Sequence, residues 1–422
     1  MARHGTFFAA ACAALALGAA LVSAQGSGAR RVISPPGAAL VGPYSPGVLA
    51  GDFLYVSGQG GRDASGRLPD TFDGQVRQTL ENLKTIVEAA GLTLQHVAYS
   101  HVYLTDMGHY DAMDRVWREF FPTAPPARAV VGVYRLPTDI AVEINAVAVR
   151  DRTRMRPIVP AGYPSSLSWS PGMLAGNRLF LSASMGADVT TGVVAAGADA
   201  QVDAALDNMQ QVLTAAGMDF RHVVFVNPYL TDAASRRMNE AYAKRFEFGN
   251  TPARATINVT SLPGGNTIAF TGVAIADLAQ RRAFKPGNMR PSATASPCVL
   301  ADDTYYCSAK GPFTPGPAAG PSGLQGIWVG TVEAQVRQTM RNLLDGLEEA
   351  GFSLADVVAT NVYLDDMDDF ARMNRVYAQY FPVHPPARTT VAQRPPVDRS
   401  SRDGDTYPGL EQISLIAVRQ TP

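Results

Sequence analysis

Two residue types in this chain have the chemistry and the spacing to handle a small acid. The tripeptide Pro-Ala-Arg occurs three times, ending at Arg128, Arg254 and Arg388, and each copy opens an apolar run that reads as a strand. A guanidinium presents a planar fork of donors and can grip a carboxylate through two parallel, charge-assisted hydrogen bonds. Fifteen positions beyond Arg128, Glu143 stands inside the apolar run Val142 to Val149. Burying an unpaired carboxylate is costly, so Glu143 has either an ion-pair partner or a use. Two readings follow. Arg128 and Glu143 neutralise each other structurally, or they face a ligand together, the arginine binding and the glutamate moving protons. Other chemistry is poorly represented: six His and three Cys show no metal-ligand spacing, and there is no phosphate loop and no Ser-His-Asp order. His101 and His222 lie in or beside expected strands and read as structural. Asp365-Asp366 with Asp368-Asp369 reads as an acidic turn, lacking the Gly and distal Glu of a calcium loop.

The elements that must position these residues recur three times. Gln75-Val-Arg-Gln-Thr-Leu-Glu-Asn-Leu matches Gln335-Val-Arg-Gln-Thr-Met-Arg-Asn-Leu, and Gln201-Val-Asp-Ala-Ala-Leu-Asp-Asn-Met is a weaker middle copy. Val76, Leu80, Leu83 and Val87 share one helical face, and Gly91, Gly217 and Gly351 mark the helix ends. Apolar runs then follow at Val97 to Leu104, Val223 to Leu230 and Val357 to Leu364. A second amphipathic stretch carries Met113, Met238 or Met373 before each Pro-Ala-Arg. Each unit therefore reads strand, strand, helix, strand, helix, strand, strand. The first two strands form a hairpin about Gly51-Asp52, Gly176-Asn177 or Asp302-Asp303. The fold class is α+β, one sheet with two helices on one face per unit. The units span 32–150, 157–280 and 286–420. Asp151 to Pro157 and Arg281 to Pro291 read as linkers, while Gly311 to Gly326 and Val397 to Gly409 read as surface loops inserted in the third unit.

At 46% apolar and 17% charged residues, the 422-residue chain has a globular composition. The formal charge of −1, from 36 Lys+Arg against 37 Asp+Glu, lacks the cationic footprint of a nucleic-acid binder. Residues 1–24 read as a cleavable signal peptide: Arg3 and His4, an apolar stretch from Phe7 to Val22, then Val22-Ser23-Ala24 before Gln25. The mature protein is accordingly expected to be secreted or periplasmic, with no membrane segment.

Gly42-Pro43-Tyr44-Ser45, Ser57-Gly58-Gln59, Pro126-Ala127-Arg128, and Leu136-Pro137 leading to Val142-Glu143-Ile144 together resemble the RidA/YjgF family. The resemblance implies homotrimers of a chorismate-mutase-like unit, with ligand clefts between subunits. It also implies cofactor-free hydrolysis of reactive 2-imino or enamine acids to 2-keto acids and ammonia. Three units in one chain then suggest an intramolecular pseudo-trimer, with a small carboxylate-bearing imine, enamine or keto acid as ligand. By the same resemblance, Arg128 binds the carboxylate and Glu143 handles water and protons. Tyr44 packs along the ligand, and the backbone at Ser57 and Gly58 adds donors. The other copies are thinner. Arg254 and Arg388 persist, but Ala269 and Gln412 stand where Glu143 would be, and Glu411 is one position off and faces the other side of its strand. Tyr44 is matched by Trp169 and Ala295. The family Asn of the second helix is Asn239 and Asn374 but Asp114 in the first unit, an extra negative charge near the one complete Arg/Glu set. A non-catalytic carboxylate binder or scaffold is the competing reading.

Cys298 and Cys307 remain after leader removal. Laying the third hairpin on the first pairs residue 301 with 304, 300 with 305, 299 with 306 and 298 with 307. The cysteines thus face each other at an expected Cα separation of about 4.5 Å, within reach of a disulfide.

Overall fold

The computed structural model describes residues 30–38, 40–164, 168–285, 292–315 and 325–420. The leader read at 1–24 and residues 316–324 of the Gly/Pro-rich segment lie outside them. Unit 1 runs β1 (Arg31–Ile33), β2 (Gly47–Ala50), β3 (Phe53–Gly60), α1 (Phe72–Ala89), β4 (Val97–Leu104), α2 (Tyr110–Phe120), β5 (Ala127–Gly132) and β6 (Val142–Val149). Its sheet order is β1-β2-β3-β6-β4-β5, antiparallel except for the β4/β5 pair. Thr71 starts α1 by accepting a hydrogen bond from the Gly74 N–H at 3.2 Å. Val76, Leu80, Leu83 and Val87 are completely buried against the sheet.

Unit 2 repeats the pattern with β7 (Met155–Ile158), β8 (Gly172–Ala175), β9 (Arg178–Met185), α3 (Ala198–Ala215), β10 (Val223–Leu230), α4 (Met238–Ala243), β11 (Ala253–Arg254), β12 (Ile257–Asn258) and β13 (Ile268–Ile275). Unit 3 has β14 (Arg281–Phe284), β15 (Cys298–Ala301), β16 (Thr304–Lys310), β17 (Thr314–Pro315), β18 (Gln325–Gly326), α5 (Val332–Glu348), β19 (Val357–Leu364), α6 (Phe370–Tyr380), β20 (Ala387–Ala392) and β21 (Glu411–Val418).

Three readings need correction. The stretches taken as linkers hold edge strands, since β7 pairs with β8 and β14 with β15, as β1 does with β2. Each unit thus opens with one more strand than its sequence pattern suggests. Within the Gly/Pro-rich segment, β17 pairs with β18, so its ends are strand rather than loop.

Helices cover only one face of each sheet, so the other face needs a second cover. The neighbouring units supply it. Tyr103, Tyr229 and Tyr363, one from each unit, are buried in a single cluster, and a second cluster joins Phe53, Phe180 and Val358. Strands buried on both faces read as continuous apolar runs, which is how β4, β10 and β19 look. His101 sits in this shared core beside the hydroxyls of Tyr99 (2.8 Å) and Tyr229, and burial lowers its pKa to about 3, leaving it neutral. Every seam repeats one backbone contact. The N–H groups of Arg128, Arg254 and Arg388 donate to Ser182, Ser308 and Ser57 Oγ at 2.7, 2.8 and 2.8 Å. Unit 1 thereby joins unit 2, unit 2 joins unit 3, and unit 3 returns to unit 1.

The hairpin turns start with positive φ at Gly51, Gly176 and Asp302 (+53°, +60° and +58°), as tight two-residue turns require. Cys298 and Cys307 are paired across the third hairpin and disulfide-bonded, with Cα atoms 4.1 Å apart. A volume exchange accommodates the bridge. In unit 1, Gly47 lies under Ile86 of α1; in unit 3, Cys298 takes the strand position and Gly346 of α5 opens the space above it. Removing the bridge by the double change Cys298→Ala/Cys307→Ala is expected to cost about 2–3 kcal/mol at most on the loop-closure model. Urea unfolding should show a lower midpoint with unchanged slope. A midpoint insensitive to both the double change and reductant would deny the bridge any stabilising role.

Candidate active site

The seam between units 3 and 1 gathers most of the residues that stood out in the sequence. Arg388, at the start of β20, lies across from Tyr44, Gly58 and Glu143 of unit 1, with which it borders a cavity of about 440 Å³, while its backbone N–H donates to Ser57 Oγ. Three bonds position the two sides. Ser45 N–H donates to Pro386 O at 3.0 Å, Ser45 Oγ to Pro385 O at 2.5 Å, and Ser57 Oγ to Ser45 O at 2.6 Å. The Arg388 guanidinium is held by rings, with its carbon 5.4 Å from Tyr44, 5.6 Å from Phe370 and 4.9 Å from Tyr377. Its Nη1 is buried without a hydrogen-bond partner among the described residues, as is Asn374 Oδ1 nearby. Gly42 passes so close that a β-carbon there would stand 2.5 Å from Arg388 Nη2. A buried cation with an open donor is a receptor for a carboxylate.

Glu143 comes from the start of β6. Its carboxyl is buried, which raises its pKa to about 8 even though the Thr390 backbone N–H and the Arg388 guanidinium both pull it down. The ladder between β3 and β6 slips between Val56 and Gln59, a bulge that gives Ser57 to the seam and Gly58 to Glu143. A β-carbon on Gly58 would overlap Glu143 Oε1 and sit 2.6 Å from its Cδ. An alanine there would force the Glu143 carboxyl out of its present position.

Arg128 is not in this cleft. The expected pairing of Arg128 with Glu143 is corrected: the two belong to one unit but face different neighbours, because β5 is an edge strand that reaches across to unit 2. Arg128 is buried and already neutralised, its Nη2 donating to Asp114 Oδ1 (2.7 Å) and Ser168 Oγ (3.1 Å). Burial alone would raise the Asp114 carboxyl. Arg128, Ser168 and Arg118 outweigh that and hold its pKa down, so Asp114 stays ionised on the guanidinium. Asp114 thus occupies the place an incoming carboxylate would take. The cavity on the unit 2 side of this seam is only about 180 Å³, lined by Trp169 and Met185. At the remaining seam Arg254 Nη1 donates to Asn239 Oδ1 at 2.8 Å, and Gln412 donates to Thr256 O at 2.9 Å. The strand register places Ala269 against Tyr229 and Gln412 against Tyr363, as Glu143 lies against Tyr103. Glu411 faces α5, where its Oε1 accepts from Thr339 Oγ1 at 2.5 Å. Sequence reasoning missed the Thr390 N–H and Phe370; a backbone donor has no side-chain signature. In the acidic turn, Arg399 reaches Asp369 at 2.8 Å and Asp366 at 3.6 Å.

The family model described as Endoribonuclease L-PSP matches this chain three times, over residues 36–150, 163–276 and 288–395. The chain belongs to that family. Its RidA/YjgF relatives are single units. A RutC family protein of Pyrococcus horikoshii is 42% identical over 117 residues, which is 26% of this chain and 90% of the relative. A RutC family protein of Aquifex aeolicus is 36% identical over 124 residues, 29% of this chain and 99% of its own length. The solved structure of the YjgF gene product of E. coli is 36% identical and covers 29% of this chain and 99% of its own, at a TM-score of 0.28.

Within this three-unit family member the copies serve as one another's controls. Where Glu143 has become Ala269 or Gln412, Gly58 has become Ala183 or Ala309. The Gly/Glu pair changes together, in line with the overlap above. Gly58→Ala alone is therefore expected to destabilise the protein by about 1–3 kcal/mol through overpacking. Gly58→Ala/Glu143→Ala, which reproduces unit 2, should recover most of that loss. Denaturant unfolding of the double-mutant cycle measures the coupling, and simple additivity would remove the argument.

Proposed function

We propose that the seam between units 3 and 1 hydrolyses reactive 2-imino and enamine acids to 2-keto acids and ammonia. The observation that carries this reading is the pairing of Arg388, with an open buried donor, and Glu143, a carboxyl that keeps its proton to about pH 8, on one cavity. Arg388 takes the substrate carboxylate. Glu143 protonates the imine nitrogen, becomes a carboxylate, and then accepts a proton as water adds to C2. The same group returns that proton to the amine of the tetrahedral adduct. As the C2–N bond breaks and ammonia leaves with its electron pair, the Glu143 carboxylate takes the proton of the C2 hydroxyl, whose oxygen closes the C=O of the keto acid; one water is consumed and Glu143 ends protonated. No step calls for a cofactor. The leader read at residues 1–24 would place this activity outside the cytoplasm. At the seam between units 2 and 3, Arg254 without a glutamate favours carboxylate binding without turnover, while Asp114 already fills the seam between units 1 and 2.

Imines generated by an amino-acid oxidase and followed by semicarbazide trapping test the reading. Arg388→Ala and Glu143→Gln should each lower kcat/KM about a hundredfold or more. Arg254→Ala, at another seam, should leave it within about threefold on the same scale. Full activity in Glu143→Gln would sink the proposal.

The pH dependence has a defined sign. Glu143 must start protonated, so kcat/KM is expected to fall as pH rises through about 8. Stability moves the same way. The unfolded glutamic acid ionises near its ordinary 4.5 while the folded one stays protonated, so folding weakens between 4.5 and about 8. Glu143→Gln should lack that part of the decline, and identical stability–pH curves for the two proteins would contradict the buried, proton-holding state.

A further inference from the structure

A carboxylate on Arg388 and a C=N group at Glu143 leave the third substituent of C2, the side chain, to enter the rest of the 440 Å³ cavity. The strand β3 sets the order of these places. The Arg388 N–H meets it at Ser57 Oγ (2.8 Å), the Glu143 carboxyl lies over Gly58, and two residues on, Ile140 lies over Gly60. A β-carbon on Gly60 would overlap Ile140 Cδ1, just as one on Gly58 would overlap Glu143 Oε1. Both glycines line the cavity, and two residues of strand span about 7 Å, so the Ile140 methyl stands next to the Glu143 carboxyl along the cleft.

This part of the cavity is apolar. Ile86 of α1, and Leu40 and Val41 from the segment before Tyr44, line it with Ile140. Leu40 and Val41 are 48% and 46% exposed, and they lie where an apolar ligand would cover them. The charges at the cavity edge are already engaged. Arg62 Nη1 and Nη2 donate to Gly66 O and Thr138 O at 3.1 and 3.0 Å, and Asp63 Oδ1 accepts from the Ser65 and Arg67 N–H groups at 2.9 and 3.0 Å. Opposite in sign and adjacent in the chain, they give an acidic side chain no net attraction. Unit 2 lacks the arrangement. Met185 stands where Gly60 does, and Asn266, whose amide donates to Pro263 O at 2.8 Å, stands where Ile140 does. The Ile140 wall and Glu143 are thus both missing from that unit.

We propose that the Glu143 cleft selects 2-imino acids with a branched aliphatic side chain, of the kind derived from leucine, and that Ile140 sets this preference. The inference rests on the imine-hydrolysing reading of the cleft for its chemistry and on the Ile140 wall for its selectivity. A methyl group on C2 leaves Ile140, Leu40 and Val41 uncovered. A branched four-carbon group extends along β3 onto them, and a single methylene in an apolar pocket is enough to discriminate about tenfold or more.

Calorimetry on the full chain with 2-keto acids, the products of that chemistry, reads the preference without turnover. 4-Methyl-2-oxopentanoate should bind at least about tenfold more tightly than pyruvate, and 2-oxoglutarate no better than pyruvate. Arg388→Ala identifies the heat that belongs to this cleft. Ile140→Ala should bring the ratio to within about threefold while pyruvate binding and circular dichroism stay as in the parent. Leu40→Ser, at an exposed position, should lower the ratio in the same direction without a folding cost. The same ranking is expected of kcat/KM for imines made from leucine and from alanine. An intact binding ratio in a protein that hydrolyses no imine would support the side-chain preference and sink the hydrolytic reading alone. Comparable binding of pyruvate and 4-methyl-2-oxopentanoate, binding of none of the three acids, tighter binding of 2-oxoglutarate, or a ratio unmoved by both Ile140→Ala and Leu40→Ser would overturn the proposal.

Discussion

The second face of each sheet is the constraint on which the rest of this structure depends. Two helices can cover one side of a sheet of this width and no more, and the strands carry apolar residues on both sides. Three units solve the problem together by turning the bare faces inward on Tyr103, Tyr229 and Tyr363. Once that core forms, the edge strand β5 or its counterpart lies against the next unit, and the arginine that opens it reaches the seam. The hydrogen bond from each Arg N–H to a neighbouring Ser Oγ sets the register of that contact. The clefts are thus a by-product of covering the sheets, which is why the candidate site lies between units.

That origin explains what was legible in the sequence. Repeats, helix faces and hairpin turns follow local periodicity, so the α+β units and the position of Cys298 opposite Cys307 could be counted out. The chemical types at the site were also legible, because an arginine opening an apolar strand and a glutamate within one are both conspicuous. Their partnership was not. Glu143 and Arg388 are 245 positions apart in the chain, and nothing local favours Arg388 over Arg128. Only the direction in which β5 and β20 cross their seams decides it. The first strand of each unit was missed for a different reason: Arg31–Ile33, Met155–Ile158 and Arg281–Phe284 are short edge strands rich in arginine, with a proline in one, and carry no alternation.

Asp114 shows how small a change separates an open seam from a closed one. Asn374 near Arg388 leaves the guanidinium available, and Asn239 beside Arg254 is a neutral acceptor. The carboxylate at the same helix position binds Arg128 as a ligand would, and it does so at an effective concentration no free acid can match. Asp114 is then sensibly viewed as a built-in occupant. Its ion pair is enclosed by Trp117, whose indole N–H donates to Ser168 O at 2.9 Å, so both seam partners hold it in place.

Joining the units in one chain is what permits the three seams to differ. In a symmetric trimer of identical subunits, any substitution is present at every interface. An aspartate like Asp114 would close all three clefts, and an alanine at the Gly58 position would crowd the glutamate in each. In the tandem chain each change is felt once. The Ser-to-Arg bond that holds the ring together can then stay constant at all three seams while Glu143, Ala269 and Gln412 diverge behind it. The tolerance for divergence is greatest where stability does not depend on it, and Glu143, a buried acid that weakens folding as pH rises, is a residue that packing alone would not retain. The proton transfer proposed for the seam between units 3 and 1 would give it a use beside Arg388.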